Sequence, residues 1–331
     1  MFSTIYIEQE LLNHPRVEKL LLRYSGIPVV SIERYGEVFN RKAQNFRLQK
    51  LKPALIIAKK HNKSVLSAPE GYGLGGKHNY YFSHLLNCIY DCRYCFLQGM
   101  YRSAHYVWFV NYEDFSEAII EKIIQHKTEP SYFYSGYDCD SLALEPITEF
   151  VDYFLPIFAG YSTALLELRT KSTQIRKLLD RAPQDNCVVA FSFTPDKISR
   201  ALEHKVPENK KRIESIKKLQ KKGWKVGLRF DPLIYDDDYL ACYRQLFDSI
   251  FSEIDAGNLH SVSLGVFRLP ETFFRNMQKL YPDEKLFAAK IAHRDGMVSY
   301  SEEIEKNMIS HCETLLLQHI PEQIYYPCLL E

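Results

Sequence analysis

Residues 80–95 read Tyr80-Tyr81-Phe82-Ser83-His84-Leu85-Leu86-Asn87-Cys88-Ile89-Tyr90-Asp91-Cys92-Arg93-Tyr94-Cys95, and this stretch constrains the fold more tightly than any other. Its first half, Tyr80–Leu86, is a β-rich run, and its second half packs three cysteines into eight residues. A strand that hands over directly to a loop of ligating side chains suits a barrel of βα units. In such barrels the functional groups sit on loops leaving the carboxyl ends of the strands. The same alternation continues downstream. β-rich runs fall at 131–135, 162–169, 186–193, 225–230 and 261–267, with helical stretches near 113–127, 146–159, 172–181, 209–222, 238–254 and 271–280. Six such units between residues 80 and 281 predict an α/β fold, a partial (β/α)6 barrel in one domain. Residues 1–79 read as an N-terminal extension packing on the barrel. Up to residue 66 it is an irregular prelude, with an amphipathic stretch around Leu11–Tyr24 and short apolar runs at Ile27–Ile32 and Ala54–Ala58. Residues 282–331 read as a C-terminal extension covering the barrel, with one helix near 301–318 and a short apolar run, Gln323–Tyr326.

The chain's 331 residues are enough for one barrel-sized domain with extensions. Lys plus Arg number 42 against 41 Asp plus Glu, a net charge of +1, which excludes a chain-wide basic footprint for DNA phosphates while allowing a local one. No run of 18 apolar residues occurs, so no membrane span or membrane partner is expected. The opening Met1-Phe2-Ser3-Thr4 has no basic segment leading into an apolar one, so no signal peptide is expected. Eight cysteines in such a chain favour reduced thiols or a metal site over a disulfide framework. These features predict a cytoplasmic enzyme or binding protein.

Cys88, Cys92 and Cys95 form a C-x3-C-x2-C run with an aromatic residue, Tyr94, just before the last thiol. Three thiolates on one loop can ligate three irons of a [4Fe–4S] cluster, whose usual complement is four cysteines. The fourth iron then stays open to an outside ligand, as the fourth position does in catalytic zinc sites. The competing assignment is a closed zinc tetrahedron of His84, Cys88, Cys92 and Cys95. A histidine on a barrel strand four residues upstream is an awkward ligand, and zinc knuckles usually come as two spaced pairs, so the cluster is the favoured reading.

The spacing of Cys88, Cys92 and Cys95 with Tyr94 resembles the signature of the radical S-adenosylmethionine superfamily. The wider run Asn87–Gln98, in which Cys95 precedes Phe96, Leu97 and Gln98, resembles the spore photoproduct lyase family. Thr170-Lys171-Ser172, Phe191-Ser192-Phe193 and Gly227–Ile234, with its Asp231-Pro232 turn, agree with that resemblance over about residues 50–330. It implies a radical S-adenosylmethionine barrel holding a [4Fe–4S] cluster on Cys88, Cys92 and Cys95. Tyr94, Ser135, Lys171 and Ser192 fall at the implied S-adenosylmethionine contacts, Lys171 as a cation for the methionine carboxylate. The implied reaction is lyase repair of a cross-linked thymine pair in DNA. Damage makes extrusion of such a pair from the stack less costly. An electron donor such as flavodoxin or ferredoxin is implied as a partner, since the organic radical chemistry belongs to the cofactor.

Two positions depart from that family's pattern. The family returns a hydrogen atom from a cysteine after the second strand. Here Cys139 is the thiol in that neighbourhood, but aligning on Asp140–Glu145 sets it about two residues late and puts Tyr137 in the donor place. Phe96 stands where the family tends to have tyrosine, and phenylalanine has no phenolic hydrogen to give. These departures raise the same cofactor chemistry on another substrate as an alternative. A zinc-stabilised nucleic-acid-binding module without catalysis is a third class. The lysines and Arg212 on 209–222 read as the solvated outer face of a barrel helix, with a phosphate-tracking surface as the alternative. The Gly71–Gly76 stretch reads as a plain loop, because no strand precedes it and no helix follows.

Overall fold

The structure is a computed structural model that describes residues 2–69, 71–288 and 290–328. Six parallel strands lie side by side in chain order: His78–Tyr81, Ser131–Tyr134, Ala164–Thr170, Cys187–Ser192, Lys225–Leu233 and Leu259–Val266. The last five fall where barrel strands are expected, and the first is shifted from the expected Tyr80–Leu86. Leu66–Ser67 adds an antiparallel edge beside the first, and Tyr325–Pro327 a parallel edge beside the last, so the sheet curls without closing. Every residue of Cys187–Ser192 is buried. Such two-sided burial is what covering a parallel sheet with crossover helices produces. The helices Tyr112–Gln125, Phe150–Ala159, Asn209–Lys222 and Tyr239–Phe251 supply that cover.

The N-terminal segment is more ordered than its sequence suggests. Ile5–Glu8, Val29–Ile32, Leu55–Ala58 and Tyr106–Phe109 form a second, parallel sheet, with Leu85–Leu86 antiparallel on its edge. Leu55, Ile56, Ile57 and Ala58 are all fully buried, the mark of a central parallel strand rather than of an irregular prelude. The expected single strand Tyr80–Leu86 is therefore split. Tyr80 and Tyr81 pair in the barrel, and Leu85 and Leu86 pair in the second sheet. The cysteine loop thus leaves the second sheet rather than a barrel strand, and the sheet itself extends past residue 79 to residues 106–109.

The C-terminal segment also carries an unexpected hairpin, Ile291–Arg294 with Met297–Tyr300, which adds Arg268–Pro270 to its edge. Its two-residue turn, Asp295-Gly296, has positive φ at both positions (49° and 75°), the geometry that favours Asp-Gly. The expected helix is present as Glu302–Leu316. No helix among the described residues is long and apolar enough to cross a membrane.

Candidate active site

The sequence fixes the cysteine loop at both ends by local means. Asn87 takes a left-handed φ of 68°, which asparagine tolerates better than most residues. Its amide Nδ2 donates to the carbonyls of Ser103 at 2.8 Å and His105 at 2.7 Å. Cys92 lies in a two-residue strand whose partner is Glu203–His204, with Cys92 opposite Glu203. The Cys95 amide donates to the Cys92 carbonyl at 3.1 Å, and the chain then enters the short helix Leu97–Met100. That helix approaches Glu271–Leu280 so closely that a Cβ on Gly99 would stand 2.2 Å from the Phe273 carbonyl oxygen.

All three thiols open onto one cavity of about 640 Å³ at the carboxyl ends of the barrel strands. Burial pushes up the Cys88 and Cys95 thiols, and it carries Cys92 to about 12 although Lys171 opposes it. A metal entering here must displace protons from them, as thiolate ligation requires. The three sulfurs do not all lie within 4.8 Å of one another. A single zinc ion with Zn–S bonds of about 2.3 Å needs sulfurs roughly 3.8 Å apart. His84 does not complete such a site either. It is fully buried, packs on Phe150 at 4.2 Å and does not line the cavity. Three thiols more widely set, Cys92 buried and Cys88 and Cys95 half-buried, facing a roomy cavity, fit the multi-iron cluster and not the closed tetrahedron.

Beneath the loop lies a charged network. Glu203, whose side chain is buried, accepts from Lys171 Nζ at 2.7 Å, Arg212 Nη2 at 2.7 Å and Ser199 Oγ at 2.8 Å, and also from the Tyr94 hydroxyl. Burial raises its carboxyl, but Lys171 and Arg212 outweigh that and hold it well below the usual range. Lys171 Nζ in turn lies 3.7 Å from Cys92 Sγ and also donates to the Tyr94 hydroxyl. Tyr94 is further tied to Thr194 Oγ1 at 3.1 Å. Arg212 is fully buried, with Nη1 on the Ser192 carbonyl at 2.7 Å. This corrects the reading of 209–222 as a solvated face: its lysines are exposed, but Arg212 turns inward.

The other expected site residues separate into two groups. Tyr94, Tyr137, Cys139, Lys171 and Ser192 line the cavity with the three cysteines. Ser135 does not. Its hydroxyl lies behind the wall, 2.8 Å from Ser141 Oγ and 3.0 Å from the Glu167 carbonyl, and the cavity surface there is Gly136. The expectation that Ser135 contacts a cofactor through its side chain therefore has no geometric support. Cys139 Sγ is 3.6 Å from the Ser135 carbonyl and faces the cavity. Tyr137 stands in a stack of rings, 4.4 Å from Tyr81, 5.5 Å from Phe96 and 5.6 Å from Tyr72. Burial raises its phenol to about 12, so it keeps its hydrogen at neutral pH. Asp140 shapes this turn, accepting from the Leu142 and Ala143 amides, the Thr170 hydroxyl and the Lys171 amide.

Sequence reasoning missed several contributors. Glu203 has no motif around it. Arg212 carried a signal in its spacing, because Arg212, Ile216 and Leu219 share one helical stripe and all three are buried. Tyr72 belongs to the loop read as plain, yet it lines the cavity with Arg169 over its ring at 4.7 Å. Arg169 and Arg229 flank Glu167, which is fully buried, at 3.0 Å and 2.7 Å. Burial raises the Glu167 carboxyl, and the two guanidiniums more than offset it, holding it at about 2. The stability this ionised group contributes is present above its ordinary value of 4.5 and is lost as pH falls toward about 2. Acid titration followed by near-ultraviolet circular dichroism is expected to show unfolding in that window. In Glu167→Gln that acid dependence should shrink, at a lower stability overall.

An open barrel of six βα units, with three thiols lining one cavity and a lysine set against one of them, defines a radical S-adenosylmethionine type of enzyme fold and site. The chain belongs to the spore photoproduct lyase family, whose model, described as spore photoproduct lyase, matches residues 3–323. The spore photoproduct lyase of Bacillus subtilis (strain 168) is 23% identical over 290 residues, covering 85% of this chain and 83% of that protein. The spore photoproduct lyase of Geobacillus sp. (strain Y412MC61) is 20% identical over the same shares. Among solved structures, a spore photoproduct lyase mutant with bound AdoMet and dinucleoside spore photoproduct matches with a TM-score of 0.86 at 18% identity. It covers 100% of this chain and 99% of that one.

Proposed function

We propose that this chain is a radical S-adenosylmethionine lyase that reverses the thymine-dimer lesion called spore photoproduct in DNA, acting in the cytoplasm. Membership of the spore photoproduct lyase family supports the reaction, and the observation that carries it to this chain is the trio Cys88, Cys92 and Cys95 opening on one cavity beside Lys171. A [4Fe–4S] cluster held by these thiols supplies, when bound, the one electron that cleaves S-adenosylmethionine to the hydrogen-abstracting deoxyadenosyl group. A flavodoxin or ferredoxin is the donor this reading calls for.

The chain's own residues bind, orient and exclude water. Lys171 is the cation available to an amino-acid carboxylate at the thiol end of the cavity, and Glu203 with Tyr94 fixes where its ammonium stands. Ser192 offers a hydroxyl on the same wall. The rings of Tyr72, Tyr81, Phe96 and Tyr137 line an apolar part of the cavity suited to flat pyrimidines, which stack on aromatic faces.

The Cys139 thiol and the Tyr137 phenol, the two candidates near the family's donor position, are both at the cavity surface and can return a hydrogen atom. Phe96 cannot, so no relay passes through that position. Cys139→Ala is expected to leave deoxyadenosine formation within about twofold while changing the repaired-to-aberrant product ratio by roughly tenfold. An unchanged ratio removes the role from Cys139 and turns the test to Tyr137, as Tyr137→Phe. The whole reading is tested with anaerobically reconstituted protein, reductant, S-adenosylmethionine and an oligonucleotide carrying the lesion. Restored thymines support it. Deoxyadenosine without restored thymines moves the same chemistry to another substrate, the second reading that Phe96 prompts.

A further inference from the structure

We propose that the face formed by residues 41–52 behind the cysteine loop is the docking site of an acidic one-electron donor protein. The inference rests on the cluster reading above, since a cluster that turns over must be re-reduced. Residues 41–52 hold Arg41, Lys42, Arg47, Lys50 and Lys52 and no carboxylate, within a chain whose net charge is +1. Arg41, Lys42, Arg47 and Lys52 are exposed, while Lys50 is buried against the cysteine loop.

The face is built against the cysteine loop. Lys50 Nζ lies 3.8 Å from Asp91, between Cys88 and Cys92, and the Lys50 carbonyl accepts from Lys205 Nζ at 3.0 Å. Gln49 Oε1 accepts from the Ala104 amide at 2.9 Å, which ties the helix Phe46–Leu51 to the chain leaving the loop. Asp91, the carboxylate Lys50 meets, is also partnered by Arg93 at 3.2 Å. The centre of the face is apolar: Leu48 and Leu51, one turn apart, are 62% and 75% exposed. A small apolar centre rimmed by one sign of charge suits a brief encounter. Electron-transfer contacts are small and gain rate and specificity from complementary charge. None of residues 41–52 lines the cavity, so an acidic partner here stands beside the thiol loop and outside the cavity lining. In the step served, the donor loses one electron and the oxidised cluster gains it.

The test uses a purified acidic flavodoxin as probe, with the full-length reconstituted protein. The quadruple variant Arg41→Glu, Lys42→Glu, Arg47→Glu and Lys52→Glu changes only exposed side chains, and so does the pair Leu48→Ser and Leu51→Ser. Flavodoxin affinity, measured by titration calorimetry at low salt, is expected to fall about tenfold or more in the first variant and severalfold in the second. Cleavage driven by dithionite should stay within twofold of the parent. Unchanged flavodoxin affinity in both variants overturns the proposal, whatever happens to cleavage. Unchanged flavodoxin affinity with weakened binding of duplex DNA also overturns it and makes the face a phosphate track. Loss of dithionite-driven cleavage in the unaltered protein would remove the radical reading instead, and the binding measurement is independent of that outcome.

Discussion

Cys92→Ala is expected to reduce S-adenosylmethionine cleavage to background and to strip most iron from the reconstituted protein, while the fold survives. The expectation follows from what the thiol does and does not touch. Cys92 contributes a small buried side chain to a cavity wall, so its truncation costs stability of about 1 kcal/mol, the ordinary scale for a modest core change. Three ligands leave one cluster position open, and two cannot hold the cluster against hydrolysis in the same way. Cys187→Ala is the matched control. Cys187 is also fully buried, but it lies at the start of a barrel strand and does not line the cavity. That variant should lose comparable stability and keep both iron and cleavage. Iron content and deoxyadenosine yield, measured on both variants with thermal melting of the metal-free proteins, check the pair. Cleavage retained in Cys92→Ala removes that thiol from the ligand set.

The second large effect is on stability. Glu203→Gln leaves Arg212, fully buried, and Lys171, mostly buried, without their shared anion. Breaking a buried ion pair on one side typically costs about 3–5 kcal/mol, because the stranded charge stays desolvated. Urea unfolding of the metal-free protein is therefore expected to shift by that amount. S-adenosylmethionine affinity of the reconstituted protein should fall as well, since Lys171 loses the partner that fixes its ammonium. Glu203→Asp keeps the charge and should recover part of both. A shift below about 1 kcal/mol would show that water or a neighbouring group compensates the two cations. It would also mean that the network does not hold Lys171 in place.

The barrel was legible because its strands announce themselves. Residues 131–134, 187–192 and 225–230 are apolar, β-branched or aromatic runs spaced by helical stretches, and each appears where expected. The cysteine spacing identified the candidate ligands, since thiols at that density have few structural uses. The second sheet was not legible. Its strands are two or four residues long and far apart in sequence, and Tyr106–Phe109 gains its place only by inserting between Leu55–Ala58 and Leu85–Leu86. Tertiary pairing of this kind overrides local pattern. The Glu203 network was hidden for a similar reason: its members come from residues 94, 171, 203 and 212, and only the fold brings them together. Ser135 shows the converse limit. A hydroxyl at a strand end reads the same whether it faces the cavity or a neighbouring serine, and here it bonds Ser141.

The central claim is that Cys88, Cys92 and Cys95 hold a cluster with one open iron. Its most direct test is iron and acid-labile sulfide analysis of the anaerobically reconstituted protein, followed by electron paramagnetic resonance of the reduced state with and without S-adenosylmethionine. The account predicts close to four irons and four sulfides per chain and a spectrum that changes when S-adenosylmethionine is added. Zinc without iron, or a cluster whose spectrum ignores S-adenosylmethionine, would contradict it.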